Sequence, residues 1–134
     1  MNKLYDPLRR KEVAATPEEM VRQWFIKELR ETFGVPVHMM MSEAALKFGD
    51  KLYRADILVY GKRGDSLGPV AVVECKRPEV ELSAAVLEQA MRYNSVLGVN
   101  VLIVTNGMKT FVYELHDGVF TPCTVVPQYK DMVK

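Results

Sequence analysis

Three charged residues in the middle of the chain have the types and the spacing for metal-assisted hydrolysis of a phosphodiester bond. Glu74, Cys75 and Lys76 end an apolar run that starts at Val70. Because alternate side chains of a strand share one face, Glu74 and Lys76 should point the same way and Cys75 the opposite way. Asp56 likewise interrupts an apolar run. A charge in a buried strand is costly unless it has a partner, so these positions need an explanation.

One arrangement accounts for all three charges. Asp56 and Glu74 would converge on a hard divalent cation such as Mg²⁺, and the backbone carbonyl of Cys75 could supply another oxygen. Lys76 would then lie near the metal-bound water and the scissile phosphate, where it could hold the water or stabilise developing charge. The alternative is an ordinary ion pair between Glu74 and Lys76, with Asp56 as a surface carboxylate. Each motif alone favours that simpler interpretation, whereas their combination favours the metal site.

A helix should precede these residues. Thr16 as N-cap, Pro17 in the first helical position and Glu19 three residues after the cap form a capping-box pattern. The helix is predicted to run to about Phe33, with Gly34 as its C-cap.

The remaining pattern predicts an α/β fold. We expect strands at 37–46, 52–60, 70–76, 101–105 and 109–115, a last short strand within 119–126, a polar loop at 61–68 and a second helix at 84–97. The helix between the strands at 70 and 101 predicts one parallel crossover, and the short turns elsewhere predict antiparallel neighbours. The expected product is a mixed sheet of four to five strands flanked by helices, in the order α-β-β-β-α-β-β. It would occupy residues 16–126, between an N-terminal arm at 1–15 and a C-terminal tail at 127–134.

The bulk composition fits one ordinary globular domain. The 134 residues are 49% hydrophobic and 26% charged, with a formal net charge of +1. A sequence-independent DNA wrapper would be more basic, so nucleic-acid contact must rely on local clusters. Two such clusters, at 9–11 and 62–63, are better explained as a solvated terminus and a solvated loop. Two cysteines are too few for a disulfide framework, and no signal peptide or membrane span is evident, so we expect a cytoplasmic protein.

These segments together resemble the PD-(D/E)XK nuclease superfamily, and more specifically the N-terminal nuclease domain of type I restriction enzyme R subunits. The resemblance covers about residues 16 to 115. The segments that carry it are Thr-Pro-Glu-Glu-Met-Val-Arg-Gln at 16–23, Tyr-Arg-Ala-Asp-Ile-Leu-Val-Tyr at 53–60, Val-Val-Glu-Cys-Lys-Arg-Pro at 72–78, Glu-Gln-Ala-Met-Arg-Tyr at 88–93 and Leu-Ile-Val-Thr-Asn-Gly at 102–107.

The resemblance implies a restriction-endonuclease-like core and specific residue roles. Asp56 and Glu74 resemble the metal ligands and Lys76 resembles the catalytic lysine, with Mg²⁺ as the cofactor and Mn²⁺ able to substitute. Ala55 departs from the family motif, which has proline before the aspartate. A motor domain follows this module in the family's large subunit and residues 116–134 hold none, so the biological role does not transfer with the fold.

Two further positions have two interpretations each. Gln89 shares a helical face with Val86 and Tyr93. It is either a satisfied structural amide or, as the resemblance implies from a second-helix glutamine in related nucleases, a group that orients a ligand or phosphate. In the first helix Glu19 is explained by capping. Glu18 falls near the centre of the apolar stripe, so we favour it over Glu19 as the further metal-site acid that the resemblance implies. Both glutamates could instead simply complement the helix dipole.

The sequence therefore predicts a Mg²⁺-dependent DNA endonuclease that is part of a restriction or defence system. Cleavage of both strands of a duplex would need a homodimer or a partner nuclease. The alternative is a catalytically silent module of the same fold that binds nucleic acid or protein. A third hypothesis is a component that works only within a larger restriction complex.

Overall fold

The computed structural model describes residues 2–133. Its helices are α1 (Pro17–Glu31), α2 (Ala84–Asn94) and the short α3 (Tyr129–Met132), with 3₁₀ turns at Val37–Met39 and Ser95–Leu97. Its strands are β1 (Lys3–Asp6), β2 (Lys11–Ala14), β3 (Met40–Phe48), β4 (Lys51–Arg63), β5 (Ser66–Cys75), β6 (Val101–Thr105), β7 (Thr110–His116) and β8 (Val119–Pro122). None of the helices in this range is both long and apolar enough to span a bilayer.

The main sheet has six strands in the order β3-β4-β5-β6-β7-β8. Strands β5 and β6 pair in parallel through the crossover helix α2, and the other neighbouring pairs are antiparallel. The predicted mixed α/β sheet with one parallel crossover is confirmed. The predicted number of four to five strands is too low, because the last short strand expected within 119–126 joins the sheet as β8 and brings the number to six.

The loop predicted at 61–68 is wrong, because β4 and β5 form one long hairpin. Strand β4 continues to Arg63 and β5 starts at Ser66, so only two residues make the turn. The first of them, Gly64, has φ +66°, a conformation that glycine adopts without steric cost. This end of the hairpin extends into solvent, which explains why its sequence is polar and glycine-rich.

The sheet separates two hydrophobic clusters. On one face α1 contributes Phe25 and Leu29, which belong to the same cluster as Val73 and Cys75 of β5. On the other face α2 packs over Val72 and its neighbours. Alternate residues of β5 therefore face opposite layers, as a strand buried on both sides requires.

Helix α1 begins as predicted but its capping box is only half formed. The Thr16 hydroxyl accepts from the backbone N–H of Glu19 at 3.1 Å. The return bond is absent, since the Thr16 N–H donates instead to the carbonyl of Ala14 at 2.9 Å. The Glu19 carboxylate is therefore free for another role.

Both terminal segments have regular structure. Residues 1–15, predicted as an arm, contain an antiparallel hairpin of β1 and β2. In the tail at 127–134, α3 packs on the sheet: Met132 is fully buried and the Tyr129 hydroxyl donates to the carbonyl of Tyr60 at 2.8 Å. A side chain at Gly61 would overlap Val133, so this close contact requires glycine. Residues 1 and 134 of these segments lie outside the described range.

Candidate active site

A cleft of about 430 Å³ lies where β4 and β5 meet α1 and α2. All five side chains that the sequence singled out line it. They are Glu18, Asp56, Glu74, Lys76 and Gln89. The fold therefore brings the predicted site residues to one place, although it gives some of them different surroundings from those expected.

Glu74 near the end of β5 and Lys76 directly after it point to the same side, as the strand period predicts. The Lys76 ammonium lies 3.0 Å from one Glu74 oxygen, and the amide of Asn94 donates to the other at 3.3 Å. Asn94 is nearly fully buried on α2 and its amide also donates to the carbonyl of Ala90 at 2.7 Å. Asn94 was not among the residues predicted from the sequence, although a polar residue four positions after Ala90 on one helical face was a usable signal.

Asp56 fastens β4 to the segment between Glu74 and Lys76. Its Oδ2 accepts from the backbone N–H of Cys75 at 2.7 Å, and its Oδ1 accepts from the Arg22 guanidinium at 2.9 Å. The first of these bonds fixes the spacing between the two candidate acids, because it joins Asp56 directly to the residue beside Glu74.

Arg22 lies between the acids of the cleft and those of α1. Its side chain is 6% exposed, and its Nη1 donates to Glu19 at 2.7 Å while Glu18 and Glu43 lie farther away, at 3.8 and 3.5 Å. Burial lowers the pKa of Arg22, but the hydrogen bond and charge of Asp56 and the charges of the glutamates outweigh it and raise the pKa. The close partners of Arg22 are Glu19 and Asp56.

The two glutamates at the start of α1 differ in environment. The Glu18 side chain is 46% exposed on the wall of the cleft, whereas Glu19 is buried. Capping does not account for the Glu19 carboxylate, which accepts from Arg22 and, at 2.6 Å, from Arg9. Glu18 therefore lines the candidate site, whereas Glu19 forms ion pairs with Arg9 and Arg22.

Arg9 contradicts the interpretation of residues 9–11 as a solvated terminus. Its guanidinium forms ion pairs with Asp6, with Glu19 and, at 3.0 Å, with Glu43. Burial of Asp6 raises the pKa of its carboxyl, but the bonds from Arg9 and the backbone N–H of Leu8 outweigh burial, and the net pKa is lowered. The turn between β1 and β2 therefore contacts Glu19 and Glu43 through Arg9, and nothing in its sequence indicated this contact.

Gln89 is exposed on the rim of the cleft, so its predicted place on a core-facing stripe is wrong. The buried positions of α2 are Leu87, Ala90 and Asn94. Within residues 2–133 the Gln89 amide has no hydrogen-bond partner, which leaves it available to a ligand.

Cys75 faces the α1 side of the sheet, as predicted, and is 2% exposed. Burial, followed by the nearby Asp56 charge, raises the pKa of its thiol well above the ordinary value. The side chain is therefore a neutral core residue, and only the backbone of Cys75 adjoins the candidate site.

The described residues contain no group of three or more His, Cys, Asp or Glu side chains placed to hold a metal ion. Any metal site in the cleft must therefore rely on two carboxylates together with other oxygen donors. Asp56 and Glu74 are the two acids of the cleft contributed by adjacent strands β4 and β5.

Comparisons with known proteins point to restriction enzymes. The family model described as "Type I restriction enzyme R protein N terminus (HSDR_N)" matches residues 17–127. No curated protein shows a significant match. A solved fragment of a proposed HsdR subunit of a type I restriction enzyme from Vibrio vulnificus YJ016 has the same fold, with a TM-score of 0.58 and 19% identity. The match covers 90% of this chain but only 25% of that one, so this chain spans about a quarter of its neighbour's length.

Proposed function

This chain belongs to the type I restriction enzyme R protein N-terminal family, and from that premise we propose that it is a metal-dependent DNA endonuclease of a restriction system. The observation that carries the proposal is the cleft lined jointly by Asp56, Glu74 and Lys76. Two acids and a lysine around one solvent-accessible space are the groups that metal-assisted phosphodiester hydrolysis uses.

The donor set fits Mg²⁺. This ion is usually held by one or two carboxylates, with water and substrate phosphate completing an octahedral shell, and does not need an all-protein cage. Asp56 and Glu74 would supply the carboxylates, the Cys75 carbonyl is a candidate third oxygen, and Glu18 is a candidate outer acid; Mn²⁺ is expected to substitute. Each carboxylate oxygen has two lone pairs, so the bonds to Arg22 and Asn94 leave acceptor capacity. When bound, the ion would activate water and polarise the phosphate.

The protein's own residues would position the reactants. Lys76 is partly exposed, with its ammonium held 3.0 Å from Glu74, so it can donate to a phosphate oxygen or an attacking water without losing its neighbour. Gln89 on the rim can orient the strand with its free amide. Arg22 pairs with Asp56 at 2.9 Å from the α1 side and so compensates the charge of this partly buried carboxylate.

Cleavage by purified protein tests this proposal. Supercoiled plasmid, linear duplex and single-stranded DNA would be incubated with Mg²⁺ and with the wild type, Lys76→Ala or Lys62→Ala. Lys62 is exposed on β4 outside the cleft and is the matched control. We expect Lys76→Ala to abolish cleavage. Its stability should change by about 1 kcal/mol or less, since the lost ion pair is partly exposed.

Two results would contradict the proposal. One is cleavage by Lys76→Ala at the wild-type rate. The other is a wild type that cuts none of the three DNA forms and gives no heat of Mg²⁺ binding in calorimetry.

A second candidate is a silent binding module of the same fold. The observation in its favour is that both acids already have protein cations as partners, Arg22 for Asp56 and Lys76 for Glu74. Such internal compensation removes the need for a metal. The calorimetric titration separates the candidates, because the silent module would not bind Mg²⁺.

We also propose DNA and a larger restriction complex as partners. A single cleft can cut one strand at a time, so cleavage of a duplex would use a second copy of the chain or another subunit. Size-exclusion chromatography with and without DNA would detect the second copy.

A further inference from the structure

A second pocket of about 300 Å³ adjoins the candidate active site and shares Gln89 and Tyr93 with it. Its other lining residues are Lys51, Tyr53 and Arg92. The two pockets differ in charge: the cleft is lined by four acids and three basic residues, whereas the second pocket has two basic residues and no acid. A cation is therefore favoured in the first and an anion in the second.

The cations around the second pocket are also unpaired. Within residues 2–133, neither Lys51 nor Arg92 forms an ion pair or side-chain hydrogen bond, and the same is true of the Arg54 guanidinium, which lines the adjoining cleft. In contrast, Arg22 and Lys76 inside the cleft are both paired with carboxylates. Basic side chains that face a pocket and have no carboxylate partner are available for an external anion.

We propose that the second pocket binds the backbone phosphates of the DNA strand next to the scissile bond, with Lys51 and Arg92 as the phosphate contacts; this inference rests on the proposed nuclease function. Gln89 and Tyr93 line both pockets, so one strand can pass from one to the other. The positively charged pocket would then hold the strand so that the scissile phosphate lies in the active site, although the whole chain has a formal net charge of only +1.

The aromatic residues of this pocket support recognition of phosphates rather than of bases. Tyr53 is 9% exposed, with its ring centroid 5.2 Å from that of Tyr93 and 5.0 Å from the Lys51 ammonium. The Tyr93 hydroxyl accepts from the backbone N–H of Arg54 at 2.9 Å. The Tyr53 ring therefore supports the Lys51 cation and has little free surface for stacking, so binding should depend on salt more than on sequence.

The test measures DNA binding without cleavage. Fluorescence anisotropy of a labelled oligonucleotide duplex would be recorded against salt concentration, in EDTA and in Ca²⁺, for the wild type and for Lys51→Ala/Arg92→Ala. The matched control is Lys27→Ala/Arg30→Ala, which removes one lysine and one arginine from exposed positions of α1 outside both pockets. A charge-preserving double variant, Lys51→Arg/Arg92→Lys, completes the set.

We expect Lys51→Ala/Arg92→Ala to weaken binding on the order of tenfold and to reduce the slope of log K against log salt by about 2. The control and the charge-preserving variant should stay near the wild type. Equal losses in the α1 control and the pocket variant, or a wild type that binds no DNA in either buffer, would overturn the inference. The proposed function fails separately, if the wild type binds DNA through this pocket and still cleaves none with Mg²⁺.

Discussion

Replacing Arg22 by methionine should destabilise the protein strongly, because it removes the common cationic partner of two acids. Arg22 is 6% exposed at its side chain and lies 2.7 Å from Glu19 and 2.9 Å from Asp56. Methionine fills a similar volume without charge. Glu19 would keep Arg9, but Asp56 would lose the only side chain that bonds to it within residues 2–133.

Loss of one partner from a buried ion pair costs about 3–5 kcal/mol, since the remaining charge is uncompensated. The free energy of unfolding of such domains is typically roughly 5–15 kcal/mol, so the variant should still fold but with a much smaller free energy of unfolding. The melting temperature should fall on the order of 10 °C or more.

Urea denaturation followed by circular dichroism measures the free energy of unfolding. The control is Arg77→Met, which removes an arginine that pairs with Glu79 at 3.2 Å, where both side chains are more than half exposed. That loss should be at most about 1 kcal/mol. The double variant Arg22→Met/Asp56→Asn should be more stable than Arg22→Met alone, because it also removes the carboxylate that has lost its partner. If Arg22→Met costs no more than Arg77→Met, the buried network does not stabilise the fold as we reason.

Two other predictions use perturbed pKa values. The pKa of Asp6 is lowered, so its ionised form stabilises the fold above the unfolded pKa, and this contribution is lost as the pH falls below about 4. The free energy of unfolding should therefore fall more steeply with decreasing pH for the wild type than for Asp6→Asn. Parallel curves for the two proteins would contradict this. Burial, together with the hydrogen bond and charge of Glu114, raises the pKa of Cys123 to about 12. Glu114→Gln should lower that pKa and speed alkylation of the thiol with iodoacetamide, whereas an unchanged pH–rate profile would refute the role of Glu114.

The meeting of Asp56, Glu74 and Lys76 was predictable because local rules decide it. The period of two in a strand puts Glu74 and Lys76 on one side, and a short connection between two apolar runs makes β4 and β5 antiparallel neighbours. The start of α1 followed from a similarly local signal, Thr16 as the N-cap. Its predicted end at about Phe33 with Gly34 as C-cap is wrong, because the helix ends at Glu31 with Thr32 as C-cap. The second helix likewise ends at Asn94, before the predicted residue 97.

The partners of these residues were not predictable in the same way. Arg22 and Asp56 are 34 residues apart, and Asn94 and Glu74 are 20 apart. Contacts over such separations depend on how α1 and α2 pack on the sheet. The periodicity of the sequence carries no information about that packing.

The loop error at 61–68 has a different cause. Glycine and polar residues mark both loops and the exposed end of a hairpin, and pairing such as Gly61 with Gly68 is set by the partner strand. The hairpin at the N-terminus was missed for a related reason, since its four-residue strands carry almost no buried positions.

The β4–β5 hairpin has a consequence for the order of folding. Asp56 meets the Cys75 N–H across 19 residues of chain, whereas the parallel pairing of Ala71 with Val101 requires the whole α2 crossover. Closing the shorter loop costs less chain entropy, and contacts that are closer in sequence form faster. The candidate catalytic groups can therefore reach their mutual register in a local kinetic step, before the longer-range topology is complete.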